Sequence, residues 1–388
     1  MALKRFCQSI VAAAALVAGP TLARDEVIPP AVPSVHDAPI ALLADLNSGQ
    51  VLHTREADRR FLPASVTKVM TAYLAFELID EGRLKVDRPV VMDAATFKQW
   101  GHKGSSLNMK EGERTTVDEV LLAIMTVSAN DGSILLAKSV AGSVDKWVAM
   151  MNAKARELGM ADSHFGTPNG WMDDGRTYVS ARDLVKLAHA MISRHPELFR
   201  RYVGHKRLKY DDMVQVNHDP LLGRIAGADG IKTGYTRQAG YNYLGTATRD
   251  GRRLVLVVAG IDRPAVRASL SRAYMEWGFS HFASRSLFDA RAVVGEARVQ
   301  QGDARVLPLV APHAIFVSFP RGTNPPISLA IRYNGPLSAP IRKGTQIATL
   351  EISIKGQQPF QAPLVAGADL AQANWWQRLR NGLFGFFG

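Results

Sequence analysis

Ser65-Val66-Thr67-Lys68 sets a hydroxyl and an amine three residues apart. Pro63-Ala64 precedes them, and Val66, Met70, Tyr73, Leu74 and Leu78 continue an apolar periodicity. That pattern predicts the first turn of a buried helix, with Ser65 and Lys68 on one face. A serine hydroxyl is a weak nucleophile until a base takes its proton, and no His-Asp pair lies near Ser65 in sequence. Lys68 is the nearest base, and a lysine serves as one only when burial or a second cation lowers its pKa. Two further strings supply candidate partners, Ser128-Ala129-Asn130 and Lys232-Thr233-Gly234, with Lys232 the natural second cation. Each string alone is weak. S-x-x-K recurs at Ser143–Lys146 and S-x-N at Ser106–Asn108, whereas K-T-G occurs once. Ser143 follows Gly142 between two helical runs and has no buried face behind it, so Ser65 is the better nucleophile.

The elements that must hold these strings are legible in outline. Residues 39–85 read as two strands around an Asn47-Ser48-Gly49 turn and then the Ser65 helix. Residues 86–185 read as mainly helical, with one helix from Val117 to Val140 carrying the second string. Strand patterns return at 229–235, 241–248 and 253–260, and a helix is expected from Pro264 to Trp277. The first and last strands then share one sheet, with a helical subdomain inserted between them. These patterns together predict an α/β chain. From about Leu287 short alternating runs at 305–310, 314–319, 328–333 and 346–354 predict a small all-β domain. The expected division is a catalytic domain over 39–285, a β-domain over 286–368 and a terminal helix over 369–388.

The ends suggest export. Lys4 and Arg5, the apolar run Ile10 to Val17 and Thr21-Leu22-Ala23 read as a signal peptide over 1–23, followed by a Pro-rich arm over 24–38. The apolar run is too short for a membrane span. Cys7 is the only cysteine and falls inside that peptide, so the mature chain is expected to carry no disulfide. At the other end Trp375, Trp376, Leu379, Leu383, Phe386 and Phe387 fall on one helical side and Arg378, Asn381 and Gly385 on the other. Aromatic residues on one face with arginine beside them read as an amphipathic helix lying in a membrane interface. The net charge of +12 fits a partner such as anionic lipid or cell wall better than nucleic acid. The densest basic stretch, Arg194 to Lys209, reads as a solvated face. The ten histidines show no metal-ligand spacing and no Gly-rich phosphate loop occurs, so no metal or cofactor is expected. Lone His164 reads as structural.

The ordered trio is the one carried by penicillin-binding proteins and class A β-lactamases. With Asp229-Gly230-Ile231 before Lys232, Ala239-Gly240-Tyr241-Asn242-Tyr243-Leu244 after it, His164-Phe165, Pro168-Asn169-Gly170 and Ser180-Ala181-Arg182-Asp183, the chain closely resembles the D-alanyl-D-alanine carboxypeptidases. These are low-molecular-mass penicillin-binding proteins. The resemblance runs from about residue 35 to the C-terminus. It implies an α/β fold with an antiparallel sheet flanked by helices, a peptidoglycan pentapeptide ending in D-Ala-D-Ala as substrate, β-lactams as covalent inhibitors, and a place on the periplasmic face of the cell membrane. It further implies that Ser65 is acylated, Lys68 is the base and Ser128 relays a proton to the leaving amine. Asn130 would hold the substrate amide, while Lys232, Thr233 and Gly234 form the binding strand. The oxyanion would sit on the backbone N–H groups of Ser65 and Tyr235, a position where relatives often carry another residue type. Arg267 sits where the family often directs an arginine at the substrate carboxylate; an exposed helix arginine is the equal alternative. An arginine that relatives carry before a Leu-Leu pair is missing, since the stretch here is Asn217-His218-Asp219-Pro220-Leu221-Leu222. A β-lactamase, a DD-endopeptidase or a non-catalytic penicillin- or wall-binding protein on the same fold stays open. The E-x-x-L-N string of class A β-lactamases has no match, since Glu157 and Glu197 lead into other residues.

Overall fold

The computed structural model describes residues 32–33 and 38–374. The expected signal peptide, most of the arm and the aromatic tail from Trp375 lie outside the described residues. The described residues fall into two compact units, one of residues 32–33 and 38–46 with Val51–His281 and one of Asn47–Gln50 with residues 282–374.

The first unit is built on a five-stranded antiparallel sheet. In spatial order its strands are Val51–Arg55, Ile40–Asp45, Arg252–Ile261, Gly240–Arg249 and Ala228–Thr236. The N-terminal strand pairs with a C-terminal one, from Ile40 opposite Ala259 to Asp45 opposite Leu254. That pairing closes the sheet around the inserted helical lobe, as the sequence pattern predicts. Side chains alternate across a pleated strand, so one strand feeds two cores. Ile40 and Leu42 join Val255 and Val257 under the helical lobe, with Val69, Tyr73 and Phe76 from the Lys68–Asp80 helix. Leu43 and Leu254 face the other way, onto the Pro264–His281 helix, where a Cβ at Gly278 would stand 2.7 Å from both. Helices therefore cover both faces of the sheet, which is the expected fold class.

The single helix expected from Val117 to Val140 is two, Val117–Thr126 and Asn130–Ala141. The break falls on the second string itself: Ser128 takes φ +67°, a left-handed conformation that no helix can carry through. The first helix opens with a capping box, Thr116 and Glu119 each bonding the other's backbone. Ser180 caps the Ala181–Arg194 helix by accepting from the Asp183 N–H, which accounts for that motif as a helix start. The basic stretch resolves into a helix, Pro196–Tyr202, and a hairpin, Arg207–Tyr210 with Met213–Val216. Arg201 there is ion-paired with Asp118 at 2.8 Å.

The second unit carries a six-stranded sheet, ordered Ile327–Arg332, Gln346–Ile354, Phe360–Ala366, Val306–Val310, Val293–Gln300 and Leu337–Ser338. A two-stranded sheet, Phe282–Phe288 with Ile315–Pro320, joins it. Leu309, Val317, Leu350, Ile352 and Leu364 form its core. Residues 369–374, assigned from sequence to the start of the terminal helix, are extended instead. Leu370 bridges to Ile341 and Gln372 to Gly302.

Candidate active site

The chain reaches Ser65 through a strained approach. Ala64 has φ +48°, and Ala64–Thr67 form a single 3-10 turn that runs into the Lys68–Asp80 helix. The tight turn pulls Lys68 back under Ser65, as the spacing predicts. Lys68 is fully buried, with its Nζ 2.9 Å from Ser65 Oγ, 2.7 Å from Asn130 Oδ1 and 2.7 Å from the Asn169 carbonyl oxygen. Burial drives its pKa well below the usual lysine value, and the neighbouring Lys232 charge adds to this against an opposing Asp131. A neutral amine, which this shift favours, can also satisfy the contacts. Such an amine has two N–H groups, which the amide oxygens of Asn130 and Asn169 accept, and one lone pair, which is left for the Ser65 hydroxyl proton.

Gly170 and Gly234 are glycines because backbone crowds them. Gly170 has φ +73°, and a Cβ there would lie 1.9 Å from the Ala64 carbonyl oxygen. A Cβ on Gly234 would lie 2.4 Å from the Pro63 carbonyl oxygen. The K-T-G strand and the Asn169-Gly170 turn thus close on the Ser65 turn from two sides. Asn242, paired with Gly234 across the sheet, donates to the Leu62 carbonyl at 2.9 Å and ties the sheet to the same segment.

The second string meets the first through Asn130. Its Nδ2 donates to the Lys103 carbonyl at 3.0 Å, and its backbone N–H donates to Ser105 at 2.8 Å. Ser128 stands two residues earlier, its buried hydroxyl without a hydrogen-bond partner. Asp131, which sequence reasoning passed over, accepts from Ser106 Oγ at 2.6 Å and from the Leu107 N–H at 3.0 Å. The repeated strings have structural work: Ser106 binds this carboxylate, and Ser143 caps the Val144–Glu157 helix. His164 is held by the Arg176 carbonyl.

Lys232 is buried, and desolvation lowers its pKa to about 7 against the opposing pull of Asp219. Its Nζ donates to the Thr233 carbonyl at 3.2 Å. Tyr235 is 52% exposed and stacks on Tyr241 with ring centroids 4.1 Å apart. Arg267 is buried, which removes the exposed-arginine alternative. Its Nη2 donates to the His218 carbonyl at 3.3 Å, and its buried Nε has no partner. Asp219, which also gave no signal in the sequence, lies half-buried beside these cations. It accepts from Tyr243 Oη at 2.9 Å and from the Leu221 N–H at 2.8 Å. Asn169 entered the sequence reading only within the Pro168-Asn169-Gly170 string, although its carbonyl binds Lys68. The arrangement offers a hydroxyl with a buried amine of lowered pKa behind it, an unbonded hydroxyl two residues from Asn130, and a cationic pair suited to a carboxylate.

Among known families, residues 27–263 match the model for D-alanyl-D-alanine carboxypeptidase, and residues 282–372 match the penicillin-binding protein 5 C-terminal domain. The D-alanyl-D-alanine carboxypeptidase DacD of Salmonella typhimurium is 32% identical over 98% of this chain and 98% of its own length. Penicillin-binding protein 5 from Haemophilus influenzae superposes with a TM-score of 0.77 at 29% identity, covering 89% of this chain and all (100%) of that one. Penicillin-binding protein D2 from Listeria monocytogenes, solved with ampicillin bound, gives 0.58 at 29% identity over 64% of this chain and 100% of that one. The chain belongs to the D-alanyl-D-alanine carboxypeptidase family of serine hydrolases.

Proposed function

We propose that the chain removes the terminal D-alanine from peptidoglycan stem pentapeptides through an acyl-enzyme on Ser65. The observation that carries this reading is the contact set of Lys68, which leaves its lone pair for Ser65 Oγ. Ser65 Oγ attacks the carbonyl of the penultimate D-alanine while its proton passes to Lys68 Nζ. The backbone N–H groups of Ser65 and Tyr235 receive the oxyanion. The C–N bond then breaks, and the departing amine takes a proton through Ser128. Water cleaves the ester and restores Ser65. Asn130 holds the substrate amide next to Gly234. Lys232, Thr233 and Arg267 receive the terminal carboxylate, and the unpartnered Arg267 Nε gains an acceptor when it binds. No metal or cofactor enters this scheme.

The same reading makes β-lactams covalent inhibitors. A penicilloyl ester keeps its leaving group attached, so water has poor access, and no E-x-x-L-N glutamate is present to activate it. We assign residues 39–285 to catalysis and 286–368 to the β-domain. The signal-peptide pattern supports export, and the aromatic tail supports a peripheral place on the periplasmic face of the membrane. The test of function is a paired assay at equal enzyme. A wall pentapeptide should give D-alanine over many turnovers, and penicillin should give a burst of one equivalent followed by slow decay. Rapid, steady penicillin hydrolysis without D-alanine release would move the protein to the β-lactamase reading.

A further inference from the structure

Lys103 does more at the cleft than its backbone bond to Asn130. Its ammonium lies 4.9 Å from the centre of the Trp100 ring and 5.0 Å from that of Trp171. The two indoles meet edge to face at 5.8 Å. No carboxylate pairs with this ammonium among the described residues. The group is built onto the reaction centre. Gly104, at φ +70°, passes so close that a Cβ would lie 2.8 Å from Asn130 Nδ2 and 3.0 Å from the Trp171 ring. Trp171 is fixed in turn by a 3.0 Å bond from its N–H to Asn169 Oδ1, and the Asn169 carbonyl is the one that binds Lys68.

Its direction along the cleft follows from Trp171. With Pro63, Ala64, Asp173, Thr236 and Gln238, Trp171 lines a shallow open depression, in which the Asp173 carboxylate is already bonded by Thr177. Thr236 lies beyond Gly234 on the strand whose other direction leads back to Lys232. Along that strand the depression therefore lies on the far side of Gly234 from Lys232, where the part of the peptide retained on the enzyme must run. A cation between two ring faces is oriented and partly desolvated without being neutralised, the state in which it gains most from a carboxylate.

We propose that Trp100, Lys103 and Trp171 form a subsite for a side-chain carboxylate on the residue preceding D-Ala-D-Ala, with the aliphatic part of that side chain over Trp171. This deepens the carboxypeptidase reading and rests on it. The test compares two soluble peptides on the full chain, acetyl-2-aminopimelyl-D-Ala-D-Ala and its side-chain amide, by D-alanine release. The parent enzyme should favour the acid in kcat/KM by about fivefold, the size of a partly exposed ion pair. The preference should shrink as salt is raised. Lys103→Met should bring the ratio to about one, and Lys103→Arg should restore it, since arginine keeps the charge and stacks on indole. The amide is the reference within each preparation, so a partly folded variant does not distort the ratio. An equal rate for acid and amide in the parent, or an undiminished preference in Lys103→Met, would overturn the subsite. Absence of D-alanine from both peptides would overturn the carboxypeptidase reading, and the subsite with it.

Discussion

Lys68→Arg is expected to react with a fluorescent penicillin at least about a hundredfold more slowly than the parent, the size of a general-base contribution. Arginine keeps the positive charge and the reach but cannot give up its proton. The argument is geometric first. Both amide oxygens facing Lys68 need hydrogens, and a neutral amine supplies two while keeping a lone pair for Ser65 Oγ. A guanidinium in the same space has no lone pair to offer and carries a charge that burial and Lys232 oppose. Rates of adduct formation on a gel time course decide the matter, and near-normal acylation in this variant would remove Lys68 from the base role. The same chemistry sets the pH profile. Lys68 must be deprotonated, so kcat/KM is lost as pH falls through its lowered pKa. Lys232 must be protonated to hold the substrate carboxylate, so kcat/KM is lost as pH rises through about 7 in the free enzyme. Bound substrate favours the charged form of Lys232, which places the alkaline limb of kcat higher than that of kcat/KM. Lys232→Arg should move that limb out of the measurable range.

Ser65→Ala should lower D-alanine release by up to about a millionfold, the scale seen when a catalytic serine is removed from a covalent mechanism. The change deletes one oxygen at a half-buried position and leaves Lys68 with its two amide acceptors. Fold and melting temperature should therefore stay close to the parent's. Lost activity without lost stability separates a chemical role from a helix-capping one, and the local structure favours the former. Ser65 makes no capping bond, because the 3-10 turn starts at Ala64 with Pro63 before it. Retention of more than a few per cent of the activity would place the nucleophile elsewhere.

The parts of the site that were legible in the sequence are those carried by local spacing. Ser65 and Lys68 share a turn, and Lys232, Thr233 and Gly234 share a strand, so their relation follows from helix and strand periodicity. Ser128 and Asn130 were found as a string but placed inside one continuous helix, because no propensity rule predicts a serine at φ +67°. Tertiary contacts hold that residue in a conformation its own chemistry disfavours. Asn169 and Asp219 act through a backbone carbonyl and a half-buried carboxylate, and neither has a sequence period. Their roles depend on which loops the fold brings together. The β-domain shows the same limit. Alternating runs such as Gln346–Ile354 were read correctly, whereas Phe360–Ala366 was missed because Pro363 interrupts it. Phe282–Phe288 was missed because serine and arginine fill its centre.

The most direct test of the account is where the acyl group lands. The full-length protein is treated with penicillin, quenched, digested and mapped by mass spectrometry. The account predicts one penicilloyl group per chain, on the peptide containing Ser65 and absent from Ser65→Ala. An adduct on Ser128 or Ser143, or its persistence in Ser65→Ala, would contradict it.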